Sequence, residues 1–319
     1  MKIAFLTQMG FQGKIPRNHP NMRTEFAQMC ALKADHYPLA LVDNIDHFYD
    51  HVILLIPKTP KDRESLLNVD LVNKARRIAN KVWFMQEGPA WVFQDMPLSH
   101  QFWHYNILAD VDGIITENTT DISYFRGLVG GSKPIFDIPS LMIEDSINIS
   151  SLSPNKEGVI IGGNFVRWYG GFDSYIIANL LETPINSVSM GRKQPDENLI
   201  PDINYLPYMQ WSEWITSLSQ FKYAVHLMPT IAAGTFAMNC AYLGIPCIGY
   251  NEADTQRNLH PDLSVKMGDL ESARKLALKL KNDTIFYKEC SDKCKSNYEN
   301  SPHKEINFID YMHKNLSKI

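Results

Sequence analysis

The stretch from Tyr205 to Tyr250 holds the richest set of residues able to bind a ligand that is both anionic and aromatic: YLPYMQWSEWITSLSQFKYAVHLMPTIAAGTFAMNCAYLGIPCIGY. Within it, an apolar run containing His226 passes through Ala232-Ala233-Gly234-Thr235 into a helical pattern. The first N–H groups of a helix have no intrahelical partner, and the helix dipole puts partial positive charge at that end. A diphosphate meets both features, and no side chain in an Ala-Ala-Gly run blocks its approach. The same residues also suit a plain strand-to-helix turn, and Gly-Thr alone does not separate the two readings. Gly162-Gly163-Asn164, with Arg167 soon after, follows one strand-like run, and Gly191-Arg192-Lys193 follows the next.

The amino-terminal half offers groups for proton transfer and stacking. Its opening strand runs into Met9-Gly10-Phe11-Gln12-Gly13, then into a polar connection from Lys14 to Asn21 that contains Arg17 and His19. An unperturbed imidazole titrates near neutrality, so His19 could deprotonate a hydroxyl; a lone loop histidine is also commonly just solvated. Glu87, in Gln86-Glu87-Gly88-Pro89, is better placed after an apolar strand, and Trp91, Phe93 and Asp95 follow it. A carboxylate beside aromatic faces suits proton abstraction from a sugar or base stacked on those faces. The alternative is an aromatic cluster packed between helices, with Glu87 closing a turn. Lys14, Arg17 and Arg23 make a modest basic stretch. Phe102-Trp103-His104-Tyr105 reads mainly as core, with His104 a structural histidine.

These residues sit on an alternation of strand-like and helical segments, the mark of parallel sheets built from strand-helix-strand units. In the first half, strands are expected at Ile3 to Thr7, Leu39 to Val42, His51 to Ile56, Val82 to Met85, Gly113 to Ile115 and Ile135 to Asp137. Helices are expected near 22–33, 63–79, 99–109 and 120–128. The polar run from Ile138 to Gly158 reads as a linker. A second series then follows: strands at 159–163, 185–190, 203–206, 223–227 and 246–250, with helices near 173–182, after Trp211, at 235–243 and after the N-cap Asp269. The expected architecture is α/β, with two Rossmann-like domains facing across a cleft: residues 1–145, residues 146–300, and a terminal helix over 301–319 packing back toward the first domain.

Bulk composition narrows the class. The 319 residues are 45% hydrophobic and 21% charged, with formal charge −4, so no global attraction draws the chain to nucleic acid or acidic membranes. No run of about 18 apolar residues occurs, and the start lacks a signal-peptide pattern, which predicts a soluble cytoplasmic protein. The five cysteines are scattered and read as reduced thiols. Asp110-Val111-Asp112 has metal-motif spacing but falls between a helix and a strand, so no metal is expected.

The stretch from about 158 to 253 resembles the nucleotide-binding domain of GT-B glycosyltransferases. Leu206-Pro207-Tyr208, Met228-Pro229-Thr230 and the run from Gly234 to Pro246 stand at the positions of that family's motifs. The resemblance implies transfer of a sugar from a nucleoside diphosphate donor, a UDP-sugar, to an acceptor hydroxyl, with no permanently bound cofactor. It implies donor contacts from Gly163, Asn164, Arg167, Arg192, Tyr208, His226, Ala233, Gly234, Thr235 and Asn239. Arg167 or Arg192 would neutralise the departing diphosphate, and Asn239 stands where the family has an acid gripping the ribose. Catalytic roles fall to Glu87, His19 and Asp95, and acceptor contacts to Gly10, Phe11, Gln12, Gly13, Lys14, Arg17, Arg23 and Trp91. The N-terminal segments also look like compact phage glycosyltransferases, which implies 5-hydroxymethylcytosine in double-stranded DNA as acceptor. A surface polysaccharide or lipid-linked glycan is the alternative acceptor. A non-catalytic nucleotide-sugar-binding protein is a further reading, and the sequence leaves sugar, stereochemistry and oligomeric state open.

Overall fold

A computed structural model describes residues 1–8, 11–22, 24–57, 70–182, 184–188 and 193–318. The chain divides into two compact units. The first comprises Met1–His19, Thr24–Pro139 and Glu305–Ile319, and the second Pro20–Arg23 and Ser140–Lys304.

The first unit is built on seven strands: β1 (Ile3–Thr7), β2 (Gly13–Lys14), β3 (Asp35–Pro38), β4 (Tyr49–Ile56), β5 (Ala79–Gln86), β6 (Gly113–Thr116) and β7 (Ile135–Asp137). They lie in the order β2-β3-β1-β4-β5-β6-β7, all parallel except β2, which runs antiparallel to β3. Central strands of such a sheet are covered on both faces, so they read as continuous apolar runs. Val52, Ile53, Leu54 and Ile56 of β4 and Val82, Trp83 and Phe84 of β5 are fully buried. The helices are α1 (Glu25–Ala31), α2 (Leu71–Arg76), α3 (Leu98–Asp110), α4 (Ile122–Val129) and, from the far end of the chain, α11 (Glu305–Leu316).

The second unit carries β8 (Val159–Ile161), β9 (Ile185–Val188), β10 (Ile203–Leu206), β11 (Tyr223–His226), β12 (Cys247–Tyr250) and β13 (Ser264–Val265). Its order is β10-β9-β8-β11-β12-β13, all parallel, the doubly wound arrangement in which the strand order reverses between β8 and β11. The helices are α5 (Gly171–Ala178), α6 (Trp211–Leu218), α7 (Thr235–Tyr242), α8 (Asp254–Leu259), α9 (Leu270–Asn282) and α10 (Thr284–Glu299). Asp269 caps α9 by accepting from Ser272 N at 3.0 Å. Cys290 and Cys294 are both buried on α10, and all five cysteines are free thiols.

Two expectations are corrected. Leu39 to Val42 is not a strand: the β-strand ends at Pro38, and Leu39–Asn44 forms a 3-10 helix that buries Leu39 and Val42. Spacing of three and alternation of two are indistinguishable over so short a run. The polar segment from Ile138 to Gly158 is also no loose connector. Leu141, Met142 and Ile143 are almost wholly buried, and Met142 bridges to Lys304 in the second unit.

Candidate active site

The reversal between β8 and β11 places two loops side by side in the second unit, where open parallel sheets take their ligands. After β8 comes Gly162, at which a Cβ would lie 2.5 Å from the Phe236 ring and 2.8 Å from His226. Only a glycine lets the chain pass these two rings. After β11, Leu227 N donates to Ser174 Oγ at 2.9 Å, which fixes the strand end to α5. The loop then reaches Gly234, the residue that starts α7.

Gly234 adopts φ 68° and ψ 30°, a left-handed conformation, and a Cβ there would lie 2.0 Å from Thr255 Oγ1. No side chain caps α7. Among the described residues, the N–H groups of its first turn have no helical or side-chain acceptor, an arrangement that suits an anion. The loop is held from behind: Ser140 Oγ donates to Ala233 O at 2.5 Å, and the Ser140 carbonyl lies 2.7 Å from His303 Nδ1. His260, itself 2% exposed, has its Nε2 2.9 Å from Ala237 O, and its Nδ1 accepts from Cys247 N at 3.4 Å. Burial pushes the His260 pKa down to about 4 and that of His226 to about 4, so both rings are neutral at pH 7.

Beside this helix end opens a pocket of about 670 Å³, counting its mouth. Gly162, Val188 and Pro207 to Met209 line it from the strand ends, Trp211 and Trp214 from α6, and Thr235, Phe236 and Asn239 from α7. A capping box sets α6 in place, with Gln210 N donating to Glu213 Oε2 at 3.0 Å, and Trp211 N donates to Pro20 O at 3.0 Å. Tyr208 is 79% exposed at the rim, whereas Trp211 is 2% exposed and its indole N–H has no partner among the described residues. A buried donor without an acceptor is costly, so a ligand carbonyl or hydroxyl would be well received there. A second, small cavity of about 20 Å³ lies along His226, Gly234, Tyr250 and Thr255.

Of the expected donor residues, Tyr208, Thr235 and Asn239 line the first pocket, and His226 and Gly234 line the second cavity. Gly163 and Asn164 are buried in the loop after β8, where Asn164 Oδ1 accepts from Val166 N at 3.2 Å. Arg167 is exposed at the start of a 3-10 turn, with no hydrogen bond or ion pair among the described residues. With its carboxamide oxygen facing the indole, Asn239 accepts from Trp214 Nε1 at 3.0 Å and its nitrogen donates to Thr235 O at 3.1 Å. Arg192 lies outside the described residues.

Trp211, Trp214 and Phe236 were not singled out from sequence. Their signal was the i,i+3 spacing of Trp211 and Trp214, which puts both indoles on one helix face. Tryptophans in a helix read equally well as core, and Trp214 does double as wall and core at 8% exposure.

In the first unit the expected groups are largely engaged. Gln86 is 4% exposed; its Nε2 donates to Pro89 O and its Oε1 lies 3.2 Å from His104 Nε2, fixing the turn that carries Glu87. His104 also stacks on Phe93 at 3.6 Å, a structural role. Trp91 and Asp95 are exposed on the following 3-10 turn. His19 stacks on Phe26 at 4.8 Å, with Phe11 edge-on at 6.1 Å. Gly13 and Lys14 form β2, and Gln12 precedes them on the surface. Lys14 pairs with Asp35 at 2.9 Å, and Arg17 pairs with Glu305 through bonds of 2.7 and 2.8 Å. The basic stretch is thus matched by acids at two positions; Gly10 and Arg23 lie outside the described residues. Asp112 pairs with Arg76 at 3.0 Å and accepts from Val82 N at 2.9 Å, which makes the Asp-Val-Asp run structural.

With this geometry in hand, the comparison with solved structures is decisive for the fold. HepE from Anabaena, in a structure with UDP-glucose, matches with TM-score 0.69 at 12% identity over 100% of both chains. TarM from S. aureus, in a complex with Fondaparinux, alpha-GlcNAc-glycerol and UDP, matches with TM-score 0.62 at 12% identity, over 88% of this chain and 59% of that one. The fold is GT-B. A third GT-B match is sucrose-phosphate synthase from Thermosynechococcus elongatus, with TM-score 0.61 at 12% identity over 83% of this chain and 72% of that one. No family model matches the sequence, and no match was found among curated proteins. Among the described residues, no GT-B helix of this chain is long and apolar enough to cross a membrane.

Proposed function

We propose that this chain is a glycosyltransferase whose second unit binds a nucleoside diphosphate sugar. The diphosphate lies on the first turn of α7 and the nucleoside in the neighbouring aromatic pocket. One observation carries the reading: an uncapped helix N-terminus and an open pocket lined by aromatic side chains share the same strand-order reversal. UDP is the first choice of nucleotide, since HepE and TarM were solved with UDP-glucose and UDP respectively.

In this reaction the bond from the anomeric carbon to the β-phosphate oxygen breaks as the acceptor oxygen bonds to that carbon. The electron pair leaves on the diphosphate, and the acceptor proton passes to a base. Arg167, exposed and unpaired among the described residues, offsets the charge gathering on the leaving group. Glu87 is the base of first choice, ahead of His19 and Asp95. DNA containing 5-hydroxymethylcytosine is the finer form of the acceptor proposal. It needs phosphate contacts from residues other than Lys14 and Arg17, whose charges Asp35 and Glu305 already match.

The test is a thermal-shift screen of nucleoside diphosphate sugars, followed by transfer assays on hydroxymethylated DNA and on glycan acceptors. A ligand at about a hundred times its Kd stabilises the folded chain by about 2.7 kcal/mol. The expected result is a clear rise in Tm with UDP-sugars, and UDP release when an acceptor is supplied. No shift with any nucleotide-sugar refutes the proposal.

A further inference from the structure

A nucleoside pocket tells ribose from deoxyribose by placing a strong acceptor or donor at the 2′-hydroxyl, and a carboxylate is the strongest acceptor a side chain can offer. Among the described residues, none of the ten lining the first pocket is an acid. The side chain with most acceptor capacity along α7 is Asn239, and it is already engaged. Its oxygen takes the Trp214 indole N–H at 3.0 Å, and its nitrogen gives to Thr235 O at 3.1 Å. One lone pair and one N–H are left, on a neutral group that is 3% exposed. Tyr208 has a hydroxyl, but the residue lies at the rim, 79% exposed.

We infer that this pocket binds ribo- and 2′-deoxyribonucleoside diphosphates with similar affinity, because Trp214 and Thr235 hold the carboxamide of Asn239. The inference rests on the nucleotide-binding reading above and extends it to a substrate class: donor sugars carried on either ribonucleotides or deoxyribonucleotides. Trp214 is then a positioning residue, acting on selectivity through Asn239. A neutral hydrogen bond to the 2′-hydroxyl changes affinity by less than about tenfold, whereas one to a charged acceptor changes it by more.

Isothermal titration of the full chain with UDP and with 2′-deoxy-UDP measures this directly. The expected ratio of Kd values is below about tenfold, and a larger preference for UDP overturns the inference while leaving the binding reading intact. If neither nucleotide binds, the binding reading fails and this inference with it. Trp214→Phe removes the indole N–H and releases the Asn239 oxygen toward the pocket. In that variant the UDP preference is expected to rise about threefold or more, a change within reach of one neutral hydrogen bond. A purely structural role for Trp214 would weaken both nucleotides together; an unchanged ratio therefore overturns its positioning role. Because the readout is a ratio, partial loss of folded protein does not mimic the effect.

Discussion

The loops that follow the first strand of each sheet begin alike and end differently. Both leave a central strand beside a reversal of strand order, β1 against β4 in the first unit and β8 against β11 in the second. In the first unit the charged groups around that position are paired, although His36 Nδ1 and Gln28 Oε1 have no hydrogen-bond partner among the described residues. Thr7 Oγ1 meets His36 Nε2 at 2.6 Å, Lys14 meets Asp35, and Arg17 meets Glu305. In the second unit the comparable groups are uncommitted, with α7 uncapped, Trp211 Nε1 unpartnered and Arg167 unpaired among the described residues. Topology offers a ligand two comparable places, and we favour the second because its charged and helix-end groups are unpaired among the described residues while those of the first are matched.

The sharpest way to break this contrast is to close the α7 end. Gly234→Ala places a Cβ 2.0 Å from Thr255 Oγ1 in a left-handed backbone that L-residues resist by roughly 1–2 kcal/mol. UDP affinity measured by titration should fall by about a hundredfold or more, the equivalent of about 2.7 kcal/mol. Next in size is acid. His226 and His260 are held near pKa 4 by burial, against about 6.5 in the unfolded chain. A depressed pKa means the unfolded state binds protons first, so stability present above pH 6.5 is lost as pH falls toward 4. His260, 2% exposed, contributes up to ~3 kcal/mol and the partly exposed His226 less, and urea midpoints for the second unit should drop over that window; a flat profile would remove the two histidines from the account.

Arg167→Ala sharpens the comparison from the other side. The residue is exposed, so Tm should hold within a degree or two, while sugar transfer falls by about ten- to a hundredfold, the worth of one charged hydrogen bond. Equal activity in the variant would reassign the leaving-group role. The smallest effect is expected in the first unit. Lys14→Ala breaks an exposed pair worth under about 1 kcal/mol and should leave UDP affinity unchanged.

Much of this contrast could be read before any coordinates. The apolar runs of β1, β4, β5, β8, β10 and β11 are long enough to mark those strands, and Gly-Thr marks the turn into α7; the anion-binding role of that turn is part of the proposal. The two-residue strands β2 and β13 and the short helix α8 carry too few residues for a period to show, so they became legible only in the structure. The pocket wall escaped for a different reason. Trp211 and Trp214 have the composition of a core, and only the depth of each ring relative to the strand ends separates wall from interior. Asn239 shows the same limit, since its place on the helix was legible while its indole partner, 25 residues away in sequence, was not.

The most direct test is a crystal structure of the chain with UDP bound. The β-phosphate oxygens are expected about 3 Å from the backbone nitrogens of Thr235 and Phe236, with the base against the Trp211–Tyr208 side of the pocket. UDP bound elsewhere, with the first turn of α7 left in contact only with solvent, would contradict the assignment.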